Sequence, residues 1–456
     1  MTTDAASPRR SAAWLVLLLA AALALRGAAA VRSEEGRNWD YTNFGNTAAR
    51  AWFGEWDGLY ASGGTIHGET ALGAESGDRS MVYTGFPLTA YELWPIGAFW
   101  RKDQSGAWDS LQFFKLLCAA CYAGGFLLLW PWFRDKAACC LAKPQALALY
   151  LATIVLFEPL WFTFRVGGQT TAFAFLGVAA FLRAQLARKE WLAAVALSFA
   201  LLNKPFLAPG VLVFLVVGEW GLLARCALLG GGAGGLSLAL FGVARHREWL
   251  SVLKSESARW TAPWSKNAAP ISFLHDFFLG PGGIETGTLA AKPALIATAD
   301  VAWQLVVVAG ALWLAWRLRR AAQTVQAEKV AGSDKERGDA IREGVLLLAL
   351  TLPLLFSTIV WPHYVALAFP VLAAGLLAWP RLDRKSRVLL LLAWIGSLRA
   401  NWTLVGLLRD SPLASSRAGT VLLAGFATIG LTALALLLVI AARPLLGAAP
   451  ARSPRP

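Results

Sequence analysis

The stretch Met81–Trp100, MVYTGFPLTAYELWPIGAFW, decides how this chain is threaded. Its length suits a membrane crossing, which takes roughly 20 apolar residues as a helix. Yet Pro87 and Pro95 interrupt it, and Glu92 lies inside it. A proline within a helix removes a backbone bond and crowds the preceding turn, and a carboxylate at membrane depth is costly. Counted as a crossing, the stretch would also invert every later loop and place Arg134, Lys136 and Lys143 outside. It reads instead as a membrane-associated or re-entrant helix on the outer face.

Outward from it, the chain is a series of apolar runs. The expected helices are 12–31, 108–132, 145–163, 169–183, 190–203, 206–224, 227–243, 295–317, 344–361, 363–380, 388–407 and 419–441. The composition agrees, with 57% hydrophobic and only 15% charged residues, against the roughly 25% charge of soluble domains. The expected fold class is therefore an all-α polytopic integral membrane protein of about 12 transmembrane helices with juxtamembrane helices outside. The first run follows Arg9-Arg10 and resembles a signal sequence, but so many spans come after it that it reads as an uncleaved first helix.

Charge sets the expected sidedness. With residues 1–11 cytoplasmic, Arg134, Lys136, Lys143, Arg188, Lys189, the charged run 318–343, Arg381, Arg384, Lys385, Arg387 and the tail 444–456 all lie inside. The short outer connections carry only Arg165, Lys204, Arg409 and Arg417. This asymmetry follows the positive-inside rule and leaves the long loops 32–107 and 244–294 outside. The run Ala48–Tyr60, AARAWFGEWDGLY, suits a helix lying at the interface, where aromatic rings are favoured.

The net charge of +14 is spread between apolar runs instead of forming a basic domain, so nucleic acid is not an expected partner. The cysteines Cys118, Cys121, Cys139, Cys140 and Cys226 lie in or beside apolar runs and do not form a secreted disulfide framework. Cys118 and Cys121 lack the second pair a structural zinc site needs. His67, His246 and His275 share no metal-ligand spacing, so no protein-built metal site is expected. A divalent ion bridging a donor phosphate is compatible with the sequence, but no acidic cluster calls for one.

With this sidedness, scattered polar residues emerge on one face. Asp40 begins the first outer loop in RNWDYTNFGN; Arg165 and Gln169 flank a Gly-Gly turn; Asn203-Lys204-Pro205 and Trp361-Pro362-His363-Tyr364 form two more outer turns. Each has a plain alternative: Asp40 as a helix cap, Lys204 as a snorkelling lysine, Gln169 as a cap, Arg165 as a helix-end anchor, and His363 as a core histidine.

The ordered segments WDYTNFGNTAARAWFGEWDGLY (Trp39–Tyr60), YTGFPLTAYELWPIG (Tyr83–Gly97), GGQTTAF (Gly167–Phe173), LLNKPFLAPGVLVF (Leu201–Phe214) and WPHYVALAFPVL (Trp361–Leu372) resemble family-87 glycosyltransferases. These are GT-C membrane enzymes related to polyprenyl-phosphate-mannose-dependent mannosyltransferases. The likeness runs over about residues 38–375 and implies a GT-C-like transmembrane domain over 12–443. Departures are a single proline at Pro87, a proline brought forward to Pro205, and one histidine, His363, followed by Tyr364 where the family has a pair.

The resemblance implies a hexosyltransferase whose donor is a polyprenyl-phosphate sugar and which needs no further cofactor. It implies Asp40 as catalytic base, with Tyr41, Gln169, Lys204 and His363 at the substrates; beside them Arg165 is read as adding charge for the substrate, and Asp57 and Glu92 as reserve acids. The expected partners are membrane lipids and an acceptor that is a glycolipid, a glycan or a protein. The chemistry stands by itself: an acceptor hydroxyl needs a proton acceptor, and a departing phosphate needs cations or hydrogen-bond donors. Two other classes fit a twelve-span chain, namely a transporter or lipid-glycan flippase and an outer-face glycan polymerase or ligase. The first usually has repeat halves and polar groups at the midplane, neither of which is apparent here.

Overall fold

The computed structural model describes residues 8–35, 40–60, 65–67, 69–70, 85–99, 109–260, 294–328, 335–357, 360–398 and 433. The expected helix 419–441 (except residue 433), the tail, and most of the expected outer loop 244–294 lie outside the described residues. In chain order the helices are α1 Pro8–Arg32, α2 Asp40–Phe53, α3 Ala90–Gly97, α4 Ser110–Ala137, α5 Lys143–Leu156, α6 Glu158–Arg165, α7 Thr171–Leu186, α8 Glu190–Asn203, α9 Val211–Val217, α10 Trp220–Trp260, α11 Ala294–Glu328, α12 Lys335–Phe356, α13 Phe369–Ala378 and α14 Arg384–Ser397. A two-residue antiparallel ladder, β1 Thr65–Ile66 with β2 Glu69–Thr70, pairs Thr65 with Thr70 and Ile66 with Glu69.

Among the described residues, five helices are long and apolar enough to cross a membrane, or six if the bent pair α5–α6 counts as one span. Ala12–Arg32 has only 6% of its apolar window buried, and a helix with apolar residues exposed all round is one solvated by lipid. The chain is a multi-pass membrane protein. Several expected spans have a different form, for local reasons. The run 145–163 is broken by 42° between α5 and α6, where Pro159 has no N–H for the Val155 carbonyl. That carbonyl accepts instead from Arg26 Nη1 at 2.5 Å and Trp161 Nε1 at 3.1 Å. The run 206–224 begins as a 3-10 turn, Pro205–Gly210, and α9 stops at Gly218, which has φ 88°. The run 227–243 is one part of α10, whose backbone leaves helical geometry at Gly242 and then stays helical to Trp260. The charged segment 318–343 is largely helical, within α11 and α12.

Of Met81–Trp100, the described part forms a 3-10 turn at Pro87–Thr89 and the eight-residue α3. At 1.5 Å per residue α3 covers about 12 Å, well short of the roughly 30 Å hydrocarbon core.

The chain divides into two compact units. The first comprises Met1–Ala180, Ser198–Lys204 and Leu228–Arg259. Here α1 packs on α4 and α5, and α2 packs on α3. The α2–α3 contact is close because Gly97 lies against the Ala48 carbonyl, where a Cβ would come within 2.3 Å of the oxygen. Trp52 and Trp94 meet across it with tilted rings whose centroids are 4.7 Å apart. Arg26 of α1 reaches Glu158 at 2.7 Å and covers the Trp161 ring, so the charge near the end of α1 is paired. An aromatic core of Tyr122, Phe126, Phe164 and Phe175 holds α4, α6 and α7 together.

The second unit comprises Phe181–Leu197, Pro205–Ala227 and Trp260–Pro456. In it α9 and the Pro205–Gly210 turn pack on α11 and α12, with Gly210 against the Ala349 carbonyl. Arg319 Nη1 donates to the Val216 carbonyl at 3.0 Å and so closes the C-terminus of α9. Ion pairs Arg225–Glu190 (2.7 Å), Arg188–Asp339 (3.5 Å) and Arg342–Glu219 (3.7 Å) engage residues of the charged connections. Asp383 caps α14 by accepting from Ser386 N at 2.8 Å, and hydrogen bonding by the Ser386 side chain, then by its backbone N–H, holds the carboxyl below the usual range.

Candidate functional site

The first unit gathers several of the expected site residues. The turn between α6 and α7 carries Gly167 and Gly168, both at φ 91°. This is left-handed backbone that side-chain-bearing residues rarely adopt. Gly168 also lies so close to Phe114 that a Cβ would come within 2.7 Å of the ring. The turn thereby delivers Gln169 into the protein, where it is 5% exposed. Its carbonyl accepts from Cys118 Sγ at 3.5 Å, and its side-chain Oε1 faces Lys204 Nζ at 3.4 Å.

Lys204 is the residue after α8 and is only 9% exposed. Its N–H still closes the helix onto the Ala200 carbonyl at 2.9 Å, and Pro205 then prevents the helix from continuing. Beside it, Asn203 ends α8 with two donations from Nδ2, to the Phe199 carbonyl at 3.1 Å and to Glu92 Oε1 at 3.2 Å. Burial pushes the Glu92 carboxyl up to about 7, against the smaller opposing effect of the Asn203 hydrogen bond. A carboxyl poised near neutrality can either accept or donate a proton.

Several polar atoms in or next to these segments have no hydrogen-bond partner. Glu92 Oε2, Arg165 Nη1, Thr171 Oγ1, Ser198 Oγ and Asn203 Oδ1 are all buried and unpartnered. Buried polar atoms are nearly always satisfied, so such a set is what a polar ligand would complete. The cations Arg165 and Lys204 suit an anion, and the amide and carboxyl groups suit hydroxyls.

Asp40 is the first residue of α2, and the chain is fastened on both sides of it. Tyr41, fully buried, donates its hydroxyl to Ser110 Oγ at the start of α4. Lys115, also fully buried, donates to the Ser33 carbonyl at 2.6 Å and the Glu35 carbonyl at 2.9 Å. Sequence reading passed over Lys115, although a lone lysine in the apolar run SLQFFKLLCAAC is a signal in itself. Ser110 gave no such signal; only its place in space makes it Tyr41's partner.

The other expected residues fall elsewhere. Asp57 is 98% exposed and paired with Arg245, which also grips Glu248 at 2.6 and 2.7 Å, so it sits in a surface ion-pair group. His363 belongs to the second unit, buried beside Tyr364 with ring centroids 4.7 Å apart, and Tyr364 stacks on Phe206 at 4.5 Å. Among the described residues no three His, Cys, Asp or Glu side chains gather as a metal-holding group.

No curated protein and no solved structure matches the chain significantly. The sequence profile of glycosyltransferase family 87 matches residues 83–333. That segment holds the whole Glu92–Arg165–Gln169–Asn203–Lys204 group and more than half of the 456 residues. With its membrane-spanning helices and its buried polar group, this chain belongs to glycosyltransferase family 87 and is a membrane glycosyltransferase.

Proposed function

We propose that the enzyme moves a hexose, mannose-like, from a polyprenyl-phosphate donor to a glycolipid, glycan or protein acceptor at the outer, extracytoplasmic face of the membrane. The observation that carries this reading is the buried Lys204–Gln169 pair, 3.4 Å apart at two helix ends. An ammonium beside an amide, both shielded from water, suits phosphate oxygens better than a neutral cargo. Arg165 adds a second cation four residues before Gln169, and Tyr41 stands next to Asp40.

Asp40 serves as general base in an inverting single displacement. Its carboxylate takes the proton of the acceptor hydroxyl as that oxygen bonds to the sugar C1, while the C1–O bond to phosphate breaks on the opposite face. The polyprenyl phosphate leaves with the bonding pair, and Lys204, Gln169 and Arg165 hold its growing charge. The anchors Lys115–Ser33, Lys115–Glu35 and Tyr41–Ser110 support this role, because a base must keep its place to within a fraction of an ångström. The donor arrives through the lipid, so no nucleotide-binding fold is called for.

The test is to incubate purified full-length protein with radiolabelled polyprenyl-monophosphate hexoses and membrane-lipid acceptors. Transfer with inverted configuration is expected. Asp40→Asn should keep donor binding while losing roughly 10²–10⁴-fold in rate, the usual contribution of a general base. Movement of the lipid without transfer, transfer only of oligosaccharide from diphosphate carriers, or full activity in Asp40→Asn would overturn the reading.

A further inference from the structure

We infer that Glu92 and Asn203 form a hydroxyl-recognition pair for the sugar ring of the donor, next to the site of its phosphate. The inference rests on the lipid-phosphate donor proposed above and adds to it a sugar subsite with named residues.

The two side chains meet through one hydrogen bond, Asn203 Nδ2 to Glu92 Oε1 at 3.2 Å. Nδ2 is already engaged a second time, by the Phe199 carbonyl at 3.1 Å. What the pair leaves open is therefore two oxygens, Glu92 Oε2 and Asn203 Oδ1, both buried and both without a hydrogen-bond partner. An unsatisfied buried acceptor costs about 1–3 kcal/mol, and here two are held on one pair. Neighbouring acceptor oxygens ask for O–H donors. An ionised phosphate, which offers only acceptor oxygens, is disfavoured by Asn203 Oδ1 and by the ionised form of Glu92.

One residue along the chain the preference reverses. Lys204 Nζ, set against Gln169 Oε1, is a cation and favours an anion. The turn 203–204 thus carries an acceptor, Asn203 Oδ1, on one side chain and a charged donor on the next. A ligand that satisfies both carries a polyol joined directly to an anionic group, which is the chemistry of a sugar phosphate. Hydroxyl donors suit either state of Glu92, whose carboxyl burial raises to about 7. Neutral, it donates one hydrogen bond and accepts another; ionised, it accepts two.

The pair is also held rigidly. Glu92 lies in the first turn of α3, which Gly97 presses against α2, and α3 packs on α4 as well. Asn203 is tied back to its own helix through Phe199. Rigid placement of the recognising atoms is what lets hydrogen bonds discriminate among hydroxyl configurations.

The test measures binding of two probes to the full-length protein in lipid nanodiscs: polyprenyl-phosphate hexoses (mannosyl and glucosyl) and polyprenyl phosphate without sugar. The wild type is expected to bind at least one glycosylated probe more tightly than the bare one. Glu92→Gln, nearly isosteric, and Asn203→Ser should each weaken that glycosylated probe by about 10- to 100-fold, as for lost hydrogen bonds to a charged or buried group. Neither should change binding of the bare lipid phosphate, whereas Lys204→Ala should weaken both. Equal wild-type affinity for bare and glycosylated probes, or variants that weaken both alike or neither, would overturn the sugar subsite. If the wild type binds neither lipid phosphate, it is the donor assignment beneath it that fails. Glu92→Gln, changing one atom, keeps the inference testable if Asn203→Ser does not fold.

Discussion

Lys115 Nζ donates to the Ser33 carbonyl at 2.6 Å, so a fully buried cation on α4 fastens the chain as it leaves α1, shortly before Asp40. Lysine is seldom buried completely unless its ammonium is satisfied, and here two backbone carbonyls do this. The segment that follows α1 is thus tied to a membrane helix through its backbone carbonyls.

Lys115→Met should therefore act on the rate more than on donor binding. Removing the ammonium releases the Ser33 and Glu35 carbonyls, and loss of placement at a base commonly costs about 10²-fold in rate. Turnover in the hexose-transfer assay is expected to fall by that order, with affinity for bare polyprenyl phosphate unchanged. Wild-type turnover in a folded Lys115→Met enzyme would show that the anchor does not position the reaction.

Lys204 and Gln169 should be coupled. Residues in direct contact typically show interaction energies of about 0.5–3 kcal/mol in a double-mutant cycle. Lys204→Ala, Gln169→Ala and the double variant, measured by binding of polyprenyl phosphate, should be non-additive by that amount. Strict additivity would mean the two side chains do not share one ligand.

Gly168→Ala should disturb the turn that presents Gln169. The position has φ 91° and leaves only 2.7 Å between a built Cβ and the Phe114 ring. Strain of this kind costs of order 1–3 kcal/mol. The variant should melt earlier and bind polyprenyl phosphate more weakly, and Phe114→Leu in the same chain should recover part of the loss. Unchanged melting and binding would show that the turn tolerates a side chain.

The Glu92 carboxyl should make stability depend on pH. Its folded value is about 7 against the ordinary 4.5 because burial disfavours the charged form. The folded state thus holds its proton more tightly than the unfolded state does. Between those two values stability falls as pH rises, and above them the penalty is complete. Near the carboxyl the other groups in play are Cys121 of α4, which feels its charge, and Lys204, adjacent to its partner Asn203. Glu92→Gln should lose this slope, so its melting temperature relative to wild type should climb from about pH 5 to about pH 7.5. Parallel curves would place the titration elsewhere.

The membrane class was legible because hydropathy is local: a run such as Ala12–Arg32 declares itself without reference to anything else. Two prolines and a glutamate were enough to set Met81–Trp100 apart from the crossings, and the Gly-Gly-Gln and Asn-Lys-Pro turns stood out because each breaks a helix. The bends were harder to read. The 42° break at Phe157 needs both Pro159 and the distant Arg26 that satisfies the freed carbonyl. Asp57 shows the converse, since nothing in GEWDGLY reveals that Arg245 will claim it.

The amino-acid sequence by itself thus determined a polytopic helical membrane protein, its family, and the turns on which polar residues emerge. These depend on composition, period and backbone breakers within a few residues of one another. Only the tertiary structure decided which of those residues meet: Lys204 with Gln169, Asn203 with Glu92, and Lys115 with the carbonyls before Asp40. Such partnerships join segments far apart in the chain, and burial, which makes each unpaired oxygen costly and raises the Glu92 carboxyl, exists only once the helices have packed.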